Sequence, residues 1–147
     1  FRIWNLDEEK SAKEFNKKVF DKINETFDSN INIDEIYKEK PKNIRIARKI
    51  FFNFDEYFSW PSLENEIVSK TGFCYGLDSH FGILVNGDVI PCCLDQNACV
   101  KLGNTNSTQI EDILNSKRVK DIQKGFKNNI LVEELCQKCE YRTRFDK

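Results

Sequence analysis

Apolar residues recur along the first third of the chain with two different periods. Phe1 to Leu6 is a short apolar run that reads as a buried strand. Ala12, Phe15, Val19, Ile23 and Phe27 then follow at steps of three and four, one face of a helix. Asp7 is placed to cap that helix, and Glu8 and Glu9 fall in its first turn, where carboxylates are favoured. The helix should end near Asp28 to Asn30. Ile31 to Lys42 follows neither period and is broken by Pro41. Ile44, Ile46, Ile50, Phe52 and Phe54 fall on alternate positions, interrupted only at Arg48, and read as a strand. Strand, helix and strand make a βαβ unit, and such units belong to parallel sheets. One unit cannot bury both of its faces, so this half reads as the end of a larger α/β domain.

The second half is patterned differently. Asp55 to Gly72 is a connector containing Trp60-Pro61. Phe81 to Val85 and Val89 to Cys92 flank Asn86-Gly87, a strong hairpin signal. Thr108 with Glu111 three residues on reads as a capping box, and Ile110, Ile113 and Leu114 form the apolar side of the helix it opens. Ser116 is placed to cap a second helix carrying Val119, Ile122 and Phe126, with Asn128 and Asn129 at its end. No internal repeat or low-complexity tract interrupts this order.

Composition narrows the classes. Of 147 residues, 39% are hydrophobic, and twelve Phe supply much of a core. The 23 basic and 24 acidic residues nearly cancel, so there is no electrostatic footprint for nucleic acid. The apolar stretches are far short of a membrane span, and no charged-then-apolar leader opens the chain. The expectation is a soluble, cytoplasmic protein with no nucleic-acid or membrane partner. The chain opens at Phe1 inside a strand-like run, and so reads as the C-terminal portion of a longer enzyme.

All six cysteines lie in the second half: Cys74, Cys92, Cys93, Cys99, Cys136 and Cys139. Without a secretory signal, clustered cysteines point to metal or redox chemistry rather than a disulfide scaffold. Cys136-Gln-Lys-Cys139 is a CxxC, which lets two thiolates face one metal from a tight turn. The predicted hairpin can bring Cys92 to Cys74, and the helices can return the chain so that the CxxC closes the site. Four thiolates suit a cubane cluster or an all-cysteine zinc site. Adjacent strand residues face opposite ways, so Cys93 should not share a centre with Cys92. Cys93 reads as a small buried hydrophobe and Cys99 as a bystander thiol in a loop.

Cys74, then Gly87-Asp88-Val89-Ile90-Pro91-Cys92-Cys93, then Leu102-Gly103-Asn104, a helical stretch from Ile113 to Ile122, and Cys136-x-x-Cys139 resemble the C-terminal SPASM or twitch region of radical S-adenosylmethionine enzymes. The resemblance covers about residues 72 to 142, roughly half the chain. Arg2-Ile3-Trp4-Asn5-Leu6 and Phe58-Ser59-Trp60-Pro61 look, more weakly, like the last βαβ segment of that family's partial TIM barrel. The resemblance implies one auxiliary [4Fe-4S] cluster with Cys74, Cys92, Cys136 and Cys139 as ligands. The two-cluster form of the family continues the CxxC with a third cysteine six residues on. Position 145 is Phe145 here, which favours the one-cluster form. The CxxxCxxC that binds the S-adenosylmethionine-cleaving cluster is absent, so this chain should not start radical chemistry by itself. Some relatives carry an acidic residue after the cysteine matched by Cys92; Cys93 stands there, and a base role does not transfer.

The expected architecture is α+β: a terminal βαβ segment of a partial TIM barrel over residues 1–62, then a small domain of hairpin, helices and cluster over 63–147. The parent would be a radical S-adenosylmethionine enzyme acting on a peptide, protein or small molecule. Its missing N-terminal barrel would be this chain's partner, and S-adenosylmethionine would bind only there. The auxiliary cluster would orient substrate or accept an electron. The rival reading is an interaction module with a structural zinc on the same four cysteines. A third is a thiol–disulfide module through Cys136 and Cys139. His80 reads as a surface or edge residue, with metal ligation as its rival role. Lys38, Lys40, Lys42, Arg45, Arg48 and Lys49 read as a solvated face. Asp95 reads as a turn or cap, with substrate contact as the alternative. Arg142 reads as exposed, with donation to cluster sulfurs as the alternative.

Overall fold

The structure is a computed structural model that describes residues 1–6, 13–55 and 57–145. Asp7, Glu8, Glu9 and Ala12, invoked above for the start of the first helix, lie outside the described residues. The protein is mixed α+β, and it divides into two compact units, Phe1–Tyr57 and Phe58–Lys147.

The first unit contains β1 (Arg2–Ile3), α1 (Lys13–Phe27), α2 (Ile33–Glu39), β2 (Asn43–Ala47) and β3 (Ile50–Phe54), in a sheet of order β1-β3-β2. β1 runs parallel to β3, as a βαβ reading requires. The single strand expected from Ile44 to Phe54 is instead a hairpin, β2 antiparallel to β3, turning at Arg48 and Lys49. Ala47 pairs with Ile50, but an extra residue between Arg45 and Ala47 shifts the register, so Ile44 comes opposite Phe52. The bulge keeps the apolar residues of both strands on one face, which is why alternation alone could not reveal the turn.

The helix α1 packs the predicted face at Val19, Ile23 and Phe27 but not at Phe15, and adds Asn16 and Phe20. Phe15 is 64% exposed, while Asn16, Phe20 and Ile23 are buried and Val19 and Phe27 pack beside them. Asn16 is admitted to the core because its amide donates to Tyr37 Oη at 2.9 Å and to Asn5 Oδ1 at 3.2 Å. The ambiguous segment after it is helical. Asn32 caps α2 by accepting the Asp34 N–H at 2.9 Å, and Ile36 and Tyr37 join the core with Phe20 and Phe52. The basic residues from Lys38 to Lys49 named above are exposed.

The second unit holds a three-stranded antiparallel sheet, β4 (Gly82–Ile83), β5 (Asp88–Ile90) and β6 (Gly103–Asn104), in that order. Four helical segments follow: α3 (Ile110–Leu114), α4 (Lys117–Lys127), α5 (Glu134–Gln137) and a 3-10 turn over Tyr141–Phe145. The predicted hairpin is present with shorter strands. Gly87 adopts φ +86° in its turn, a conformation that glycine reaches without strain. Ser116 caps α4, its side chain accepting the Val119 N–H at 3.4 Å. The capping box at Thr108 does not form. Thr108 N–H donates to the Asn104 carbonyl at 3.0 Å, and α3 starts after Gln109 without a side-chain cap.

Val119, Ile122 and Phe126 of α4 bury with Leu77, Val100, Leu131 and Leu135 in one cluster, and Cys74 and Cys136 pack against it. The helix is therefore the floor on which two of the thiols rest. No helix of the described residues is long and apolar enough to cross a membrane.

Candidate metal centre

Cys74 is carried by the segment that leads from the connector into the sheet. That segment is pinned to the return from α4: Gly72 N–H donates to the Asn129 carbonyl at 2.9 Å, and Leu131 N–H to the Lys70 carbonyl at 3.0 Å. Cys92 lies in a turn beyond β5, which ends at Ile90, rather than at the end of a strand. The Asp95 N–H closes that turn on the Cys92 carbonyl at 3.2 Å, and Asp95 is 1% exposed. Its two carboxylate oxygens accept the N–H groups of Cys99 at 2.7 Å and Val100 at 2.8 Å. Asp95 is thus a turn residue, as its sequence suggested. Trp60 Nε1 donates to the Leu94 carbonyl at 3.0 Å from the connector.

Cys136 sits in α5, and Cys139 follows it. The two residues between them fix the turn. The Gln137 carbonyl accepts N–H bonds from Val68 at 2.9 Å and Ser69 at 3.1 Å. Its amide reaches the Leu131 carbonyl at 2.8 Å. Lys138 is nearly buried, pairs with Glu134 at 2.8 Å and donates to the Leu63 carbonyl.

The three segments bring Cys74, Cys92, Cys136 and Cys139 to the wall of one cavity of about 70 Å³. All six cysteines are free thiols; those four are half-buried, and Cys93 and Cys99 are exposed. Cys93 is therefore not the small buried hydrophobe expected. It follows Cys92 in a turn, and its residue also borders the cavity. Cys99 does not line it. Exposed His80 stands at the cavity wall, its Nδ1 2.9 Å from Ser79 Oγ.

Burial pushes up the pKa of each of the four thiols. Cys92 is pushed up to about 11, by burial first and then by the neighbouring Cys74, Cys139 and Cys93. Cys136 is pushed furthest, by burial and by Cys74, Cys92, Cys139 and Glu133. Backbone N–H groups oppose this at three of the four sulfurs. Gly76 N–H donates to Cys74 Sγ at 3.4 Å, the Leu94 N–H to Cys92, and the N–H groups of Tyr141 and Arg142 to Cys139. Turns that aim N–H groups at sulfur stabilise a thiolate, and neighbouring thiolates are tolerated together when a cation draws off their charge. This donor set fits a cationic metal centre.

Among the described residues, no group of three or more His, Cys, Asp and Glu side chains stands as a ready-made metal-ion site. One zinc ion draws its sulfurs to about 2.3 Å from a common centre, whereas a cubane offers each thiolate its own iron. The four thiols border one cavity, and that donor set serves either centre.

Two residues at the site were misread or missed. Arg142, expected to be exposed, is 2% exposed and lines the same cavity. Its place three residues after Cys139, within reach of a metal turn, was the available signal. Lys138, inside the CxxC, drew no notice because a lysine at such a spacing is ordinarily solvated. Phe145, where another ligand would fall in the two-cluster pattern, packs edge-on against Tyr75 and Tyr141, with ring centroids 5.1 and 5.6 Å apart.

Residues 74–140 match the model of the SPASM family, an iron-sulfur cluster-binding domain. The match begins at Cys74 and ends just past Cys139, so it spans the four half-buried cysteines, and it implies iron–sulfur binding by this stretch. No curated protein and no solved structure matches the chain.

Proposed function

We propose that this chain, whose residues 74–140 are a SPASM region, holds one auxiliary [4Fe-4S] cluster on Cys74, Cys92, Cys136 and Cys139 and belongs to a cytoplasmic radical S-adenosylmethionine enzyme. The observation that carries the reading is four half-buried thiols from three separate segments on one cavity wall. Bound there, the cluster supplies one-electron redox chemistry or an anchoring point for substrate. The chain's own part is to hold the thiols. The sheet and the Asp95 turn fix Cys92, the segment bonded to Asn129 and Leu131 fixes Cys74, and α5 with its buried Lys138 fixes the CxxC. The first unit, with β1 parallel to β3, is the end of that enzyme's partial barrel in this reading. S-adenosylmethionine cleavage belongs to the rest of the barrel, and the substrate is a peptide, protein or small molecule.

Anaerobic reconstitution tests this. The expected product carries about four iron and four acid-labile sulfides per chain, with the broad visible absorption of a cluster. It forms no 5′-deoxyadenosine from S-adenosylmethionine and dithionite. Stoichiometric zinc without labile sulfide would instead support the structural zinc module.

A further inference from the structure

We propose that Arg142 sets the reduction potential of the cluster held at this cavity, and that Gly72 provides the space its guanidinium occupies. This rests on the cluster reading above.

The geometry is specific. Arg142 lies in the 3-10 turn after Cys139, is 2% exposed and borders the cavity with the four cysteines. Its guanidinium lies against Gly72: a side-chain carbon added at that position would stand 1.9 Å from Nη1 and 2.7 Å from Cζ. Gly72 also has φ +145°, which disfavours any other residue. The segment cannot easily move aside, because Gly72 and the neighbouring Lys70 are hydrogen bonded to Asn129 and Leu131. Gly72 precedes Cys74 by two residues and Arg142 follows Cys139 by three, and Cys74, Cys139 and Arg142 all border the cavity. Lys138, the other buried cation near the CxxC, holds its ammonium on Glu134 and the Leu63 carbonyl.

A cubane with four thiolates is an anion, and reduction adds one more negative charge without a proton. A fixed positive charge close by stabilises the reduced state more than the oxidised one, and so raises the potential. Arg142 acts on the cluster through its charge, and Gly72 is a positioning residue.

The test is a dithionite titration of the reconstituted full chain, with the midpoint potential read by electron paramagnetic resonance. Iron and sulfide content are measured on the same samples. Arg142→Lys should keep a potential close to wild type. Arg142→Gln and Arg142→Met should lower it. Gly72→Ala should lower it too, although the arginine is still present, because the guanidinium must leave its place. A merely structural Arg142 would alter iron content and thermal stability but leave the potential of the assembled cluster unmoved. An unchanged potential in any loaded variant that lacks or displaces the charge overturns the proposal. Wild-type chain that assembles no cluster refutes the site reading instead.

Discussion

The carboxylate of Asp95 accepts the backbone N–H of Val100 at 2.8 Å, five residues on, and closes the loop that follows the Cys92 turn. With its other oxygen on the Cys99 N–H, Asp95 is a built part of the loop. Asp95→Ala leaves both donors without that acceptor, at about 1–3 kcal/mol for each one left buried and unpaired. Asp95→Asn keeps an acceptor oxygen and should lose less. Thermal unfolding of the two variants orders them, and equal losses would contradict this role.

The first unit makes a sharper forecast because Phe15, placed on the apolar face by its spacing, is exposed and Phe20 is buried. Phe20 is 1% exposed and stacks on Phe52 with ring centroids 5.1 Å apart, whereas Phe15 faces outward. Phe20→Ala should destabilise the chain by about 3–5 kcal/mol, and Phe15→Ala by no more than about 0.5 kcal/mol. Denaturant titration distinguishes them. A large loss at Phe15 would return that residue to the apolar face on which its spacing put it.

Asp88 gives the sheet a pH dependence. Its carboxyl is held below the ordinary carboxylate range, chiefly by Lys101, whose Nζ lies 2.5 Å away, and then by Asn104 at 2.7 Å. A carboxylate with a lowered pKa in the folded state contributes stability above its unfolded pKa. That contribution is lost as the pH falls through the folded value. Protection of the Asp88–Ile90 and Gly103–Asn104 amides against hydrogen exchange should therefore weaken below about pH 4. Asp88→Asn should remove this dependence. A dependence that persists unchanged in Asp88→Asn assigns it to another group.

Much of this was legible in the sequence, and the failures have physical causes. Asn86-Gly87 announced the hairpin because few residues other than glycine reach φ +86°, and Ser116 announced α4 because its hydroxyl caps a helix that carries three apolar residues on one face. The β2–β3 hairpin was hidden by the bulge at Ile46, which restores the parity a turn would break. The short helix α2 was hidden because it buries only Ile36 and Tyr37. Asn16 was overlooked because a polar residue enters a core only when it finds partners, and those partners, Tyr37 and Asn5, are distant in the chain. At the site, the four cysteines could be grouped by spacing and family order. The burial of Arg142 could not, because it depends on the vacancy at Gly72, 70 residues earlier.

The most direct measurement is iron content in six single Cys→Ala variants, each reconstituted without oxygen beside the wild type. The account predicts that Cys74→Ala, Cys92→Ala, Cys136→Ala and Cys139→Ala fall far below about four iron per chain, while Cys93→Ala and Cys99→Ala stay close to it. Full iron in Cys92→Ala with none in Cys93→Ala, or an emptied site in Cys99→Ala, would contradict the ligand set.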